Sequence, residues 1–332
     1  MRPLDLTCAN TLGLPCLADH GVTIRSLSEA TASWRSLRGQ GLRLTVLGGG
    51  SNVLLPPRLR GVVWRLAAPA PRLERHGRVE VFGGVGLDAL VHSVGEAGLW
   101  GMENLAAIPG TIGAAPVQNV GAYGQSLDEV IEALEVLDLR TGQIARWSRA
   151  QAAFAYRDSL FRRQPGAYCI LSLRLRLHLK GTARLHYDGV RERLETLRVS
   201  EAALRPLDLS AAIRALRREK LPDWHQYPNV GSFFKNPVLS QAAWARLQAR
   251  APALAMDRYE RTGGKLSAAQ LIESAGWRGR RRGPVGMAQR HALVLVNYGG
   301  ATRADVLWLA GSVQASVYAR YGVRLEREPL ML

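Results

Sequence analysis

Two glycine-rich stretches carry the residue types from which an anion-binding site is built. The first is Gly48-Gly49-Gly50-Ser51-Asn52, set between the apolar runs 42–47 and Val53-Leu54-Leu55. The second runs from Gly98 to Gly124, with glycines at 98, 101, 110, 113, 121 and 124 and alanines at 106, 107, 114, 115 and 122. Glycine leaves backbone N–H groups bare, so such clusters can converge on a phosphate. Small residues over that length fill a core poorly, but they let backbone lie against a large flat ligand. Gln118, Asn119 and the Tyr123 hydroxyl add polar handles. The first stretch is no Rossmann turn: G-x-G-x-x-G is missing, and residues 52–57 read as a strand rather than a helix. Alone it also reads as a plain tight turn; the second stretch shifts the reading towards a diphosphate-bearing cofactor.

These segments need a frame to hold them. The chain has 332 residues, 47% hydrophobic and 21% charged, which suits two or three domains with ample core. That composition excludes a disordered chain. The formal charge of +17 favours an anionic partner: nucleic acid, a membrane surface or a small anionic ligand. No apolar run approaches the roughly 18 residues of a membrane span, and the N-terminal residues lack an apolar core of signal-peptide length. Cys8, Cys16 and Cys169 have no CxxC spacing, so neither a disulfide framework nor a zinc site is expected, and no metal. They read as buried or incidental thiols in a reducing cytoplasm.

Around the first glycine turn, residues 28–37 read as a helix and 61–66 as a strand, with Pro69 and Pro71 marking a boundary. Residues 78–84 then read as a strand, 87–98 as a helix, and 130–138 with 143–147 as a hairpin about Thr141-Gly142. Residues 167–179 alternate as a half-buried strand with a cationic outer face, Arg174, Arg176 and His178. A third region starts near Lys220. There Ser267 with Gln270 resembles a capping box stopped by Gly276, and Thr302 with Asp305 caps a helix whose core stripe is Val306, Leu309, Val313 and Val317. Hairpins mixed with single helices suggest α+β modules.

Seven runs occur in order across nearly the whole chain: LGGGSNV (47–53), NLAAIPGTIGAAPVQNVGAYG (104–124), YRDSL (156–160), KLPD (220–223), GSFFKNP (231–237), KLSAAQLIESAGW (265–277) and GVRLERE (322–328). With them the chain resembles the UDP-N-acetylenolpyruvoylglucosamine reductase (MurB) family, type I. The resemblance implies an α+β protein with an FAD-binding fold of the vanillyl-alcohol-oxidase (PCMH) type in two subdomains, 1–68 and 69–217. A C-terminal α/β substrate-binding domain, 218–321, follows, and the strand 322–332 returns to the first subdomain. It implies FAD and NADPH as cofactors, UDP-N-acetylglucosamine enolpyruvate as the small-molecule substrate, and a role in peptidoglycan synthesis. A cytoplasmic monomer with no nucleic-acid or membrane partner is expected.

The implied reaction adds a hydride to one carbon of an enol ether and a proton to its neighbour beside a carboxylate. By the resemblance Ser232 is the proton donor, Arg157 contacts the carboxylate, and Glu328, preferred over Glu326, completes the catalytic set. The cofactor residues carried over are Gly48, Gly49, Gly50, Ser51 and Asn52 in the first turn. The second segment supplies Ile108, Pro109, Gly110, Thr111, Gly113, Ala114 and Ala115. Gln118, Asn119, Gly121, Ala122 and Tyr123 follow, and Arg217 resembles the arginine near the flavin's pyrimidine edge. For the nucleotide-sugar, Tyr187 lies on a loop that closes over the diphosphate, with Lys220, Asn236 and His291 as further contacts.

Three features depart from the family pattern. Gly49 stands where an acidic residue is frequent, serine is common in the place of Ala114 or Ala115, and the tail ends at Leu332 without a Val-Arg continuation. Two other readings remain. One is a different FAD oxidoreductase of the same fold. The other is a basic nucleic-acid-binding protein using Arg278–Arg282, although no aromatic residues interleave that tract and it reads more simply as a solvated loop.

Overall fold

The computed structural model describes residues 2–255 and 263–332. The chain divides into two compact units. One is Met1–Leu4, Ala18–Gly50 and Leu59–Glu219; the other is Asp5–Leu17, Ser51–Arg58 and Lys220–Leu332. Residues 68 and 217, the expected subdomain ends, both lie in the segment Leu59–Glu219 of the first unit.

In the first unit, β1 (Arg2–Asp5), β2 (Leu17–Ile24), β3 (Leu44–Val46) and β5 (Arg58–Leu66) form a sheet in the order β1-β2-β5-β3. β3 runs parallel to β5, with Leu44 opposite Val62. The helix Leu27–Gly39 begins at Ser26, whose hydroxyl accepts the Glu29 N–H at 3.1 Å. It sends Ala30 and Leu37 into a core with Ile24, Val62 and the fully buried Trp64. Burying one such large apolar side chain stabilises by about 1.5–3 kcal/mol.

A second, antiparallel sheet in this unit has the order β11-β10-β12-β7-β6. Its strands are β6 (Arg72–Leu73), β7 (Arg78–Phe82), β10 (Ile131–Asp138), β11 (Ile144–Ser148) and β12 (Tyr168–Arg176), while β8 (Gly121–Ala122) and β9 (Gln125–Ser126) pair separately as an antiparallel ribbon. The helices Leu87–Glu96 and Pro206–Lys220 bury Leu90, Val94, Ala212 and Leu216 in the same core as Val79, Leu134 and Leu173 of this sheet. β12 alternates as expected, but its outer face is not bare cation. Arg174 pairs with Glu80 directly across the β7 register, and Arg176 Nε donates to Glu132 at 3.1 Å. The acidic partners were invisible because they come from neighbouring strands.

In the second unit, β13 (Asn229–Ser232), β14 (Arg281–Arg282), β15 (Val285–Met287) and β16 (Val294–Asn297) form an antiparallel sheet ordered β13-β16-β15-β14. The helix Arg303–Tyr321 opens with a full capping box: Thr302 Oγ1 accepts the Asp305 N–H at 3.2 Å, and Asp305 Oδ2 accepts the Thr302 N–H at 2.9 Å. Its stripe of Val306, Leu309, Val313 and Val317 is fully buried. The C-terminal β17 (Leu330–Met331) runs parallel to β4 (Val53–Leu54), Leu330 opposite Val53, and the Leu332 carbonyl accepts Arg303 Nη1 at 3.0 Å. The short tail is therefore tied down at both strand and terminus. Cys8 is exposed, whereas Cys16 and Cys169 are buried, and burial pushes the Cys169 thiol up to about 12.

Thr302→Ala removes one side of the capping box and should lower folding stability by about 1 kcal/mol, while Thr302→Ser stays near the parent. Urea midpoints of the two variants check this; equal midpoints would contradict it.

Candidate active site

The first unit brings the two glycine stretches into backbone contact. A Cβ on Gly48 would lie 2.6 Å from Thr111 Oγ1 and 2.7 Å from the Ala114 methyl; one on Gly49 would lie 2.7 Å from Gly110 Cα. Gly113 likewise lies against backbone, 2.8 Å from Gly83 Cα by the same construction. The glycines are thus required by close approach, and Gly49 has no room for the acidic side chain the family pattern suggested. Ala114 also fits this contact: its methyl already touches the space Gly48 leaves open.

The segment is held in conformations that L-residues avoid. Among the described residues seven non-glycines have positive φ; four of them, Ala107, Asn119, Tyr123 and Arg157, lie in this segment or are bonded to it. Each costs about 1–3 kcal/mol, and such residues concentrate at functional sites. The compensating bonds are specific. Asn119 Nδ2 donates to Asp128 Oδ1 at 2.9 Å and to the Ala155 carbonyl at 3.2 Å, and its Oδ1 accepts the Asp128 N–H at 3.2 Å. Burial alone would raise Asp128, but bonds from Ser126, Asn119 and Arg149 outweigh it and hold the carboxyl below its ordinary range. Asn119, expected as a cofactor handle, therefore commits its buried side chain to the scaffold, and its carbonyl accepts Arg157 Nη1 at 3.5 Å.

Ala155-Tyr156-Arg157-Asp158 is a tight turn stitched, with Ser159, onto the same segment. Ala155 and Asp158 exchange both backbone hydrogen bonds, and Arg157 takes the third position with φ 51°, where a turn of this kind favours glycine. Ser159 Oγ donates to the Val117 carbonyl at 2.6 Å, and Arg157 Nη2 donates to the Gly121 carbonyl at 2.5 Å. The turn thus fixes a guanidinium against the glycine segment. Arg217 approaches from the helix Pro206–Lys220, its Nε donating to the Ala107 carbonyl at 3.3 Å. Burial lowers the Arg217 pKa; Tyr123 and Asp88 oppose that shift, and the Arg157 charge adds to it. Two arginines and the bare backbone make this a cationic patch.

The loop carrying Tyr187 docks on the segment. Asn104 Nδ2 bridges the Tyr123 carbonyl at 2.7 Å and the Arg184 carbonyl at 3.2 Å, and Arg184 bonds the Gly124 carbonyl and Glu129. The Tyr187 ring sits edge-on to Tyr123, centroids 5.1 Å apart, yet remains 48% exposed. Burial raises the Tyr123 hydroxyl, against the effect of Arg217.

In the second unit a bulge aims Ser232. Asn229 pairs with Val296 and Ser232 with Val294, so three steps on β13 oppose two on β16. Gly231 supplies the extra residue at φ 69°, and its N–H donates to Asn229 Oδ1 at 2.9 Å. Such bulges redirect a side chain out of the ladder. The C-terminal stretch runs antiparallel beside it. Lys235 N–H donates to the Glu326 carbonyl and Glu328 N–H to the Phe233 carbonyl, both at 2.9 Å. Arg327 stands opposite Phe234, and Glu328 opposite Phe233, the residue after Ser232. Glu326 instead points outward, 67% exposed, and pairs with Lys235 at 2.5 Å.

The other expected substrate residues are placed less directly. Lys220 ends its helix, exposed. Asn236 Oδ1 accepts the Ala268 N–H at 3.0 Å and so helps to start the helix Ala268–Ser274. His291 lies in the turn before β16, and its Nδ1 accepts the Leu293 N–H at 3.3 Å, which puts the neutral ring's proton on Nε2. Ser51 and Asn52 precede β4, and the Asn52 carbonyl accepts the Leu330 N–H at 3.0 Å.

The tract Arg278–Arg282 is partly an edge strand, not a loop, and aromatic rings do meet it. Arg280 lies over Trp277, Arg281 over Tyr298 and Arg282 over Trp308, while Arg278 pairs with Glu273. Two of the rings come from distant sequence, which is why interleaving was not visible. Sequence reasoning also passed over Asp88 and Asn104. The only signal for Asp88 was an acid in the first turn of a helix.

The geometry can now be set beside known proteins. The family model for the FAD binding domain matches residues 18–148, and that for the UDP-N-acetylenolpyruvoylglucosamine reductase C-terminal domain matches 223–332. The UDP-N-acetylenolpyruvoylglucosamine reductase of Burkholderia multivorans is 42% identical over 98% of this chain and 95% of its own. That of Pseudomonas aeruginosa is 42% identical over 96% and 95%. The crystal structure of UDP-N-acetylenolpyruvylglucosamine reductase (MurB) from Thermus caldophilus is similar with a TM-score of 0.68 and 25% identity, covering 99% of this chain and 97% of its own. Fold and site thus define an α+β, FAD-binding oxidoreductase. The chain belongs to the UDP-N-acetylenolpyruvoylglucosamine reductase family. Among the described residues no helix is long and apolar enough to cross a membrane, and no three metal-ligating side chains cluster.

The residues of the first unit fit FAD. A Cβ would fill the cradle at Gly48 and Gly49, and Arg157 and Arg217 lie on the same segment.

Burial, aided by the Lys220 and Arg278 charges, lowers the His291 pKa below its ordinary 6.5, against the opposing effect of Glu273. The unfolded chain therefore binds this proton first, so stability present above about pH 6.5 is lost as pH falls through the folded value. His291→Gln should flatten that decline. Urea midpoints taken between about pH 8 and pH 5 check it; identical slopes in parent and variant would contradict it.

Proposed function

We propose that this chain reduces the enolpyruvyl double bond of UDP-N-acetylglucosamine enolpyruvate to give UDP-N-acetylmuramate, a step of peptidoglycan synthesis, with Ser232, Glu328 and Arg157 as its catalytic residues. FAD, recharged by NADPH, supplies the hydride when bound. The observation that carries the reading is the bulge at Gly231, immediately before Ser232, beside the stretch whose Glu328 N–H donates to the Phe233 carbonyl.

Hydride addition to one carbon leaves negative charge on the neighbouring carbon and its carboxylate. Ser232 Oγ gives its proton to that carbon and regains one from solvent. A serine hydroxyl is a weak acid, but an enolate is more basic than any resting group around it. The Arg157 guanidinium, fixed in its turn by the Gly121 carbonyl, pairs with the substrate carboxylate and stabilises the charge as it grows. Glu328 and that carboxylate share a proton, since two carboxylates side by side require one or a cation. Lys220, His291 and the amide nitrogen of Asn236 bind the diphosphate or sugar, and Tyr187 closes over the diphosphate. The glycine turn with Ser51 and Asn52, the segment from Ile108 to Tyr123, and Arg217 hold FAD. The reading takes the enzyme as a cytoplasmic monomer, which sedimentation and fractionation check.

Ser232→Ala should leave NADPH-driven flavin reduction within about two-fold of the parent and slow substrate reduction by 100-fold or more. Rapid-mixing absorbance follows each half; equal slowing of both would contradict the role. Tyr187→Ala should raise KM for the nucleotide-sugar about ten-fold with a smaller change in kcat. An unchanged KM would remove Tyr187 from the substrate contacts.

A further inference from the structure

We propose that Asp88 is a positioning residue for the cofactor segment, acting through the backbone of Ala107. Asp88 is the second residue of the helix Leu87–Glu96. Its Oδ1 accepts the Ala107 N–H at 2.5 Å, and its Oδ2 pairs with Arg214 Nη1. The Ala107 carbonyl in turn accepts Arg217 Nε at 3.3 Å. Charged side chains from two helices therefore hold both polar groups of one residue.

That residue is in an unfavourable conformation. Ala107 has φ 58°, a left-handed geometry that glycine adopts freely and alanine does not. Three residues on, the Gly110 carbonyl accepts the Leu87 N–H at 2.9 Å. One helix start thus grips the segment Ala107–Gly110 at both ends, through a backbone N–H and a carboxylate. Gly110 is the residue whose Cα lies against Gly49. Moving Ala107 out of its left-handed well would displace Ile108, Pro109 and Gly110 and open that contact. It would also release the acceptor that orients Arg217.

An ordinary role for Asp88 would be to favour its helix terminus and to pair with Arg214. The Arg214 pair is partly exposed, and such pairs contribute little. The bond to Ala107 differs in kind: the carboxylate is accepting from a distant loop, not from its own first turn. The inference rests on the reading that this segment holds FAD, and the experiment separates the two.

FAD is titrated into apoprotein of the parent and of variants, followed by flavin fluorescence, with thermal melting of each apoprotein alongside. Loss of a charge-assisted bond predicts that Asp88→Ala binds FAD about 10-fold to 100-fold more weakly. Asp88→Asn keeps an acceptor oxygen and should stay within about three-fold of the parent, as should Arg214→Met, which removes only the ion pair. The diagnostic arm is Asp88→Ala combined with Ala107→Gly. Glycine holds φ 58° without the clamp, so the second change should recover most of the lost affinity. A helix-terminal role would not be rescued that way. Ala107→Val should reproduce the defect with Asp88 intact, which keeps the test open should Asp88→Ala fold poorly. Parent-like FAD affinity in Asp88→Ala and in Ala107→Val, or a loss in Asp88→Ala that Arg214→Met matches and Ala107→Gly does not restore, would overturn the proposal. Failure of the parent apoprotein to take up FAD would instead overturn the cofactor reading itself.

Discussion

The contact of backbone on backbone between Gly49 and Gly110 is the constraint on which the first unit depends. Gly49 cannot carry a Cβ without moving the Gly110 main chain. The approach is held from several sides. The helix at Leu87 binds the Gly110 carbonyl, the turn at Arg157 bonds to the carbonyls of the same segment, and the buried Asn119–Asp128 pair fixes its far end. The segment collects left-handed residues because each is over-determined by a named bond. Such strain is kept where backbone must be presented to a ligand and not merely packed.

The second unit solves a different problem, the aiming of one hydroxyl. Gly231 inserts an extra residue, Asn229 anchors it, and the C-terminal stretch arrives antiparallel with Glu328 opposite Phe233. Glu326 is exposed and paired with Lys235, while the Glu328 N–H is bonded to the Phe233 carbonyl. The pairing of β17 with β4 holds this arrangement despite the short tail.

What was legible in the sequence is what local chemistry decides. Thr302 with Asp305 and the stripe from Val306 to Val317 needed only neighbours in sequence. The glycine turns were legible as backbone that must approach something, though not as backbone that approaches itself. The conserved-looking runs were legible as a family resemblance, and the match over both units agrees with it. Long-range pairings stayed hidden. Nothing local says that Asn119 turns inward to Asp128, that Arg174 faces Glu80, or that Arg282 stacks on Trp308. The charge of +17 first suggested nucleic acid as readily as a cofactor. Ion pairs take one base with one acid and leave that surplus as it is; what the fold adds is ring partners for arginines such as Arg280, Arg281 and Arg282.

The proposed FAD cradle is the contact of the two glycine turns. FAD titration of Gly49→Ala apoprotein tests it most directly, with Gly39→Ala as control, since a Cβ on Gly39 meets nothing within 4 Å. The account predicts that Gly49→Ala loses FAD binding by at least about ten-fold while its circular dichroism stays that of the parent, and that Gly39→Ala binds normally. Parent-like FAD affinity in Gly49→Ala would contradict it.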